Sequence, residues 1–242
     1  MRILGVEIDN LSRTEIISRV DRFLDEPKFH QIATVNPEFL VEADRNPEFR
    51  NVLNQCDMRV ADGFGIALVS FFRGEKLKCR FPGADLMEEI LRMADEKNLS
   101  VYLAVRADGL SSYGEIKSVL LGKYPGLQIG GGNFDGSNWK LVTRNSDDTP
   151  QLPVAGYQLL FSNFRAPHQE FFIAKFKDKV SELRIGIGVG GAFDFLTGKR
   201  KRAPKWLRAI GLEWLWRVIQ QPSRIRRIWN AVIVFPVRVF WK

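Results

Sequence analysis

Short apolar runs at residues 31–35, 58–61, 100–105, 156–162 and 184–189 are each set apart from the next by a segment long enough for a helix. Strands separated by helices pair mostly in parallel, with the helices lying on the faces of the sheet. That alternation restricts the chain to an α/β fold, a Rossmann-like, mostly parallel sheet flanked by helices. Residues 2–8 read as a further short strand. Ser12, with Glu15 three positions on, is a capping-box start for a helix through about Leu24. After Asn36 the spacing predicts helices over 37–43 and 47–55, then over 65–73, 84–97, 109–123 and 166–176. Residues 130–153 are rich in Gly, Asn, Ser, Asp and Pro and read as a loop with at most one short helix near 139–143.

Charge divides the chain. From Lys199 to Lys242 there are twelve Lys/Arg and one acid, Glu213, a local charge of +11 in a protein whose net charge is +8, so residues 1–198 sum to −3. The same segment holds five of the six tryptophans. We therefore expect a core over 1–198 and a basic, aromatic appendage over 199–242. Its partner is anionic, and the pattern points to an anionic membrane surface. Ile225, Ile228, Trp229, Val232 and Ile233 recur at helical spacing while Arg224, Arg227 and Asn230 fall on other sides, an amphipathic helix with cations along its polar flank. A terminal helix packed on its own domain with a solvated basic face is the competing account. No recognition-helix or zinc-finger pattern accompanies the charge, so no nucleic acid is expected.

No apolar run reaches the roughly 18–20 residues of a spanning helix, and the N-terminus carries charges where a signal peptide would be apolar. The expected location is cytoplasmic, peripheral to the inner face of a membrane. Cys56 and Cys79 have no metal or redox spacing and read as free thiols. His30 and His168 are too few for a metal site, and Asp147-Asp148 reads as a solvated acidic turn, so no metal is expected.

Chemistry in an open α/β sheet sits at the carboxyl ends of its strands. Asp62 occupies such an end, where a carboxylate either takes part in the chemistry or caps a helix, and Thr34 and Asn36 sit at another, where they can face a ligand. Gly190-Gly191 after the last strand lets backbone amides approach an anion. The run Gly186-Ile-Gly188-Val-Gly190-Gly191 matches a dinucleotide fingerprint by letter only. Its first glycines fall inside the strand, and no acid ends a second strand about 20 residues on.

Several motifs together are similar to those of one family. Thr34-Val-Asn36-Pro-Glu38, Ala61-Asp62-Gly63, Gly83-Ala-Asp85-Leu, Ala166-Pro-His-Gln169-Glu170, Gly188-Val-Gly190-Gly191-Ala-Phe-Asp194, Gly198-Lys-Arg-Lys-Arg202-Ala-Pro204 and Gly211-Leu-Glu213-Trp214-Leu-Trp-Arg217, with Gln221-Pro222-Ser-Arg224 after them, resemble the WecG/TagA/CpsF glycosyltransferases. The resemblance runs from about Leu4 to Arg227. It implies an inverting, metal-independent transfer from a UDP-sugar to a sugar on a polyprenyl diphosphate, with no cofactor. The sugar would be N-acetylmannosamine, its uronate or a hexose, and the product an exopolysaccharide or cell-envelope polymer.

By the same match, Asp62 is the general base, Thr34 and Asn36 line the sugar pocket, and Arg80 lies near the acceptor or its phosphate. Gln169 and Asp194 hold donor groups, with a backbone cap as the competing role for Asp194. Arg217, Arg224 and Arg227 close over the site and meet the diphosphate. A second subunit covering an exposed apolar site would make a homo-oligomer.

The chain also departs from the family, with Arg106 and Arg165 where relatives usually carry glycine. Either these arginines make ionic contacts in place of amide ones, or donor binding is altered. The alternative function is a catalytically inactive homologue that binds a lipid diphosphate or a membrane.

Overall fold

The computed structural model describes residues 1–135, 155–177, 180–204, 207, 213–220 and 229–241. Its centre is a six-stranded sheet of β3 (His30–Val35), β4 (Met58–Ala61), β5 (Ser100–Arg106), β6 (Gln128–Phe134), β7 (Leu159–Ser162) and β8 (Ile185–Gly188). The spatial order is β4-β3-β8-β7-β5-β6, and every pairing is parallel.

Side chains alternate across the sheet as strand geometry requires. Ile32, Val60, Leu103, Phe161 and Ile187 face one layer, formed by α1 (Arg13–Asp25), α5 (Gly83–Glu96), α6 (Tyr113–Lys123) and the short α8 (Ala192–Leu196). Ala33, Val35 and Ala61 face the other layer, against α2 (Pro37–Arg45), α3 (Pro47–Gln55) and α4 (Phe64–Phe72). Tyr102, Ala104 and Leu160 continue that side against α7 (His168–Ala174). The expected α/β sheet flanked by helices is therefore present, its inner strands buried and its edge strand β6 partly exposed.

The local signals have the expected consequences. Ser12 and Glu15 close a reciprocal capping box on α1, and Ser112 with Glu115 does the same for α6. The second box starts α6 at Tyr113, four residues later than the spacing predicts. Asn36 and Asn46 cap α2 and α3 through their side-chain oxygens, each followed by a proline in the first turn.

Two expectations need correction. Residues 2–8 are not one strand but a tight antiparallel hairpin of β1 (Arg2–Ile3) and β2 (Val6–Glu7), apart from the main sheet. Leu4 at φ 46° and Gly5 at φ 80° form its turn, and positive φ at both central residues suits the twist of a two-residue hairpin. The predicted loop over 130–153 begins instead with the edge strand β6, which pairs with the whole of β5. Its sequence hides it, because Gly130, Gly131 and Gly132 carry no strand signal. Contact with neighbours demands two of them: a Cβ on Gly130 would lie 1.9 Å from the Tyr157 hydroxyl, and one on Gly131 would lie 2.2 Å from the Leu103 carbonyl oxygen. The predicted helix at 139–143 and the Asp147-Asp148 turn lie outside the described residues.

Beyond the core, α9 (Glu213–Gln220) is followed by a π-helical turn over Asn230–Val234 that runs into α10 (Phe235–Phe240). Phe235 is fully buried against the second layer.

We expect Gly131→Ala to destabilise the protein by about 2–4 kcal/mol, because the backbone of β5 cannot yield and φ is +139° at that position. Chemical denaturation would read this, and a loss under about 1 kcal/mol would contradict the packing described.

Candidate active site

The carboxyl ends of β3, β4, β5, β7 and β8 surround a cleft of about 260 Å3. Thr34, Asn36, Asp62, Gln169 and Asp194 all line it. Of the remaining residues singled out by sequence, Arg80 is not in the wall. It is held nearby, because Phe81 donates its N–H to the Ala61 carbonyl at 3.0 Å. Of Arg217 only the helical backbone of α9 is described, and Arg224 and Arg227 lie outside the described residues.

Asp62 is fixed from two sides. Its N–H donates to the Val35 carbonyl at 2.7 Å, extending the β3–β4 ladder one residue past the strand, and its Oδ2 accepts the Gly83 N–H at 3.1 Å. Gly83 is the first residue of α5, and the amides and dipole of a helix's first turn attract negative charge. Asp62 therefore does not cap α4, the helix that follows it. Gly63, at φ 96°, turns the chain so that α4 can begin at Phe64. Thr34 lies against the same helix start, so close that a Cβ on Gly83 would stand 2.9 Å from its Oγ1. Asn36 uses Oδ1 to accept the Phe39 N–H at 3.0 Å, a structural role alongside its place in the wall.

Across the cleft the wall is the glycine turn after β8. Gln169 Oε1 accepts the Gly190 N–H at 3.2 Å, and its Nε2 donates to Glu170 Oε1 at 2.6 Å. Gln169 presses so closely on β8 that a Cβ on Gly188 would come within 2.3 Å of its Nε2, and Gly186 has no more room beside Phe29 and Ile173. The in-strand glycines of the fingerprint-like run thus serve packing. Asp194 is no backbone cap: Oδ1 accepts from the Ser111 hydroxyl at 3.0 Å, and Oδ2 lies 3.3 Å from the Arg200 guanidinium.

Arg106 and Arg165, the two departures, both line the cleft. The Arg106 guanidinium forks onto the Asp108 carboxylate and holds that carboxyl below its ordinary value, with Arg165 adding a smaller pull. Asn163 Oδ1 accepts the Arg106 N–H at 2.6 Å. Arg165 has φ 66°, a left-handed conformation that glycine adopts freely and an arginine adopts at a cost of about 1–2 kcal/mol. The wall therefore carries Arg106, Arg165 and Arg200 beside Asp62, Asp108 and Asp194.

Sequence reasoning passed over Asn163, Asp108, Arg200 and Glu170. Asn163 was findable, since it stands directly after β7 as Asn36 and Asp62 stand after β3 and β4. Arg200 sits in a basic run that reads as appendage. Glu170 is buried, with Oε2 lacking a hydrogen-bond partner, and burial pushes its carboxyl from near 4.5 up to about 8, against a smaller opposing pull from the Gln169 hydrogen bond. Among the described residues no three His, Cys, Asp or Glu gather as a metal cluster. Both cysteines are free, and burial raises the Cys56 thiol far above its usual range.

Open parallel sheets take their ligands outside the strands' carboxyl ends, and a Rossmann-like glycosyltransferase fold accounts for both the sheet and the position of this cleft. The chain belongs to the Glycosyl transferase WecG/TagA/CpsF family, whose family model matches residues 1–242. It is 31% identical over 223 residues to the N-acetylglucosaminyldiphosphoundecaprenol N-acetyl-beta-D-mannosaminyltransferase of Bacillus spizizenii, covering 89% of this chain and 81% of that protein. The protein of the same name from Bacillus subtilis is 30% identical over 227 residues, covering 90% and 83%. The one from Staphylococcus aureus strain MRSA252 is 27% identical over 239 residues, covering 98% and 91%.

The neutral, buried Glu170 makes stability depend on pH in a definite direction. Below about pH 4.5 the carboxyl is protonated in both states and costs nothing. As pH rises towards 8 the unfolded chain ionises while the folded one does not, so stability falls across that window, and the loss is complete once the folded carboxyl ionises too. Glu170→Gln should therefore gain on the wild type between pH 5 and pH 8, by an amount on the order of a few kcal/mol. Denaturation curves of both proteins at the two pH values test this, and an unchanged difference would refute it.

Proposed function

We propose that this protein transfers a sugar from a UDP-activated donor to a sugar carried on a polyprenyl diphosphate, with inversion and without a metal, in the synthesis of an exopolysaccharide or cell-envelope polymer. The observation that carries the reading is the Asp62 carboxylate, whose Oδ2 accepts the Gly83 N–H at the mouth of the sheet and which lines a cleft shared with Thr34 and Asn36. An ionised Asp within hydrogen-bond reach of an acceptor hydroxyl takes its proton while the oxygen bonds to the anomeric carbon. The bond from that carbon to the diphosphate breaks, and UDP leaves with the electron pair.

Charge on a diphosphate is balanced by guanidinium groups and backbone amides. Arg106 and Arg165 are suited to that in the core, with Gln169, which holds the Gly190 N–H, and Asp194 shaping the donor side. Arg80, Arg217, Arg224 and Arg227 are the residues we assign to the acceptor diphosphate. The relatives' names, which specify a diphosphoundecaprenol-linked acceptor and an N-acetylmannosaminyl group, support the acceptor class and make N-acetylmannosamine the first donor sugar to try. A lipid-linked acceptor calls for action at a membrane surface, on the cytoplasmic side where UDP-sugars are made. No helix among the described residues is long and apolar enough to cross a membrane, in keeping with a peripheral enzyme.

Asp62→Asn should lower turnover by about 10²–10⁴ while leaving the circular dichroism spectrum and the calorimetric affinity for UDP unchanged. Near-normal turnover would remove Asp62 as the base. Failure of the wild type to bind UDP at millimolar concentration would favour the inactive, lipid-diphosphate-binding alternative.

A further inference from the structure

Among the described residues, nothing covers the apolar outer face of α4 and α10. Phe71 and Phe72 at the end of α4 are 77% and 64% exposed, and Phe240 and Trp241 at the end of α10 are 53% and 85% exposed. The two elements form one patch, because the Phe72 and Phe240 rings meet edge to face at 6.1 Å. Ile233 and Val237 extend it along the terminal helix. Phe235, on the opposite side of that helix, is wholly buried and touches the start of α4, 3.6 Å from where a Cβ on Gly65 would lie. The helix is thus seated on the core by one side and offers its other side outward. Contiguous exposed aromatic surface of this kind marks an interaction site.

We propose that α4 and α10 together enter the surface of an anionic lipid leaflet, with Phe71 and Phe72 as the deepest side chains. This rests on the transferase reading and adds to it a second, core-borne half of the membrane contact. The choice of a lipid surface over a second copy of the chain follows from charge. Arg73, Lys76 and Lys78, all exposed, follow α4 directly, with Glu75 the acid among them; Lys78 also meets Glu15, and Arg73 donates to the Arg2 carbonyl. By sequence, residues 214–242 add six Lys/Arg and no acid, of which Arg238 pairs with Asp44.

A two-fold pairing through this patch would bring the exposed Arg73 and Lys76 of the two copies together. Anionic headgroups complement these cations. Trp229 and Trp241 stand at the two ends of the terminal helical segment, both exposed, where indole rings settle at headgroup level. The geometry also serves the reaction. Asp62 lies two residues before α4, so with Phe71 and Phe72 among the acyl chains the base stands back by the length of a nine-residue helix, about 13 Å.

The test uses the full-length protein and vesicles of phosphatidylglycerol or of phosphatidylcholine. Wild type should float with the anionic vesicles, and Phe71→Ser/Phe72→Ser should lose at least about tenfold in partitioning. Trp241→Ser, at the patch edge, should lose less. Transfer to a short-chain, water-soluble polyprenyl diphosphate sugar should stay within about twofold of wild type in both variants, which also shows that they fold. Flotation of the double variant as efficient as wild type would overturn the proposal. So would a wild-type dimer in vesicle-free sedimentation that the same substitutions split. If neither wild type nor variant transferred sugar to any acceptor, the transferase reading would fail while the flotation result still decided the membrane face.

Discussion

The site depends on one pairing, that of β3 with β8, in which His30, Gln31 and Ile32 lie beside Ile185, Gly186 and Ile187. β3 also pairs with β4, the strand next in sequence. Because every strand runs the same way, these contacts bring Asn36, Asp62 and the glycine turn after Gly188 to one edge, although more than 120 residues separate the last two. The crossover from β4 to β5 passes to the far half of the sheet, and β7 and β8 then fill the middle. Chain connections leave the central strands in opposite directions there, and a crevice opens between them. The cleft is a consequence of strand order before any side chain is specified.

What the side chains add is close approach and neutralisation. Gly83 lets Thr34 reach the start of α5, and Gly188 lets Gln169 lie on β8. Gln169 is engaged at both ends of its amide, by Gly190 and by a buried Glu170, so it braces the glycine turn as well as lining the cleft. Asp194 is likewise held between Ser111 and Arg200. Such supporting contacts keep a site in one geometry before a ligand arrives, which is the condition under which oriented dipoles contribute most to a reaction.

The parallel core was legible in the sequence because its strands are buried on both faces and appear as continuous apolar runs. The capping boxes at Ser12 and the prolines at 37 and 47 located helix starts for equally local reasons. β6 was not legible: its glycines are required by Tyr157 and by the Leu103 backbone, contacts that exist only after folding. In the site, Asp62, Thr34 and Asn36 were legible as strand-end polar residues, and motif resemblance added Gln169 and Asp194. Asn163 obeys the same positional rule but lacks a motif to draw notice. Glu170 escapes because its interest lies in burial, and a Gln-Glu pair at a helix start looks solvated. Arg165 poses the converse case. Only its backbone torsion shows that the position favours glycine and that an arginine there bears a conformational cost.

The basic segment is less detached from the core than its composition suggests. Lys199 pairs with Glu115, Arg200 with Asp194, Arg202 with Asp85 and Arg238 with Asp44. Among the described residues, these four cations thus meet carboxylates of the mildly acidic core, so the +11 counted from sequence overstates what the segment offers to an outside anion. The exposed pair, Lys199 with Glu115, contributes little, while for Arg200 and Arg202, mostly buried, the attraction is offset by desolvation of the guanidinium groups. The two buried pairs flank the cleft, Asp194 in its wall and Asp85 in the first turn of the helix that holds Asp62. Charge complementarity between core and tail therefore does at the cleft what apolar packing of Phe235 does beneath α4. Both fasten the cationic segment to the face where the reacting groups open.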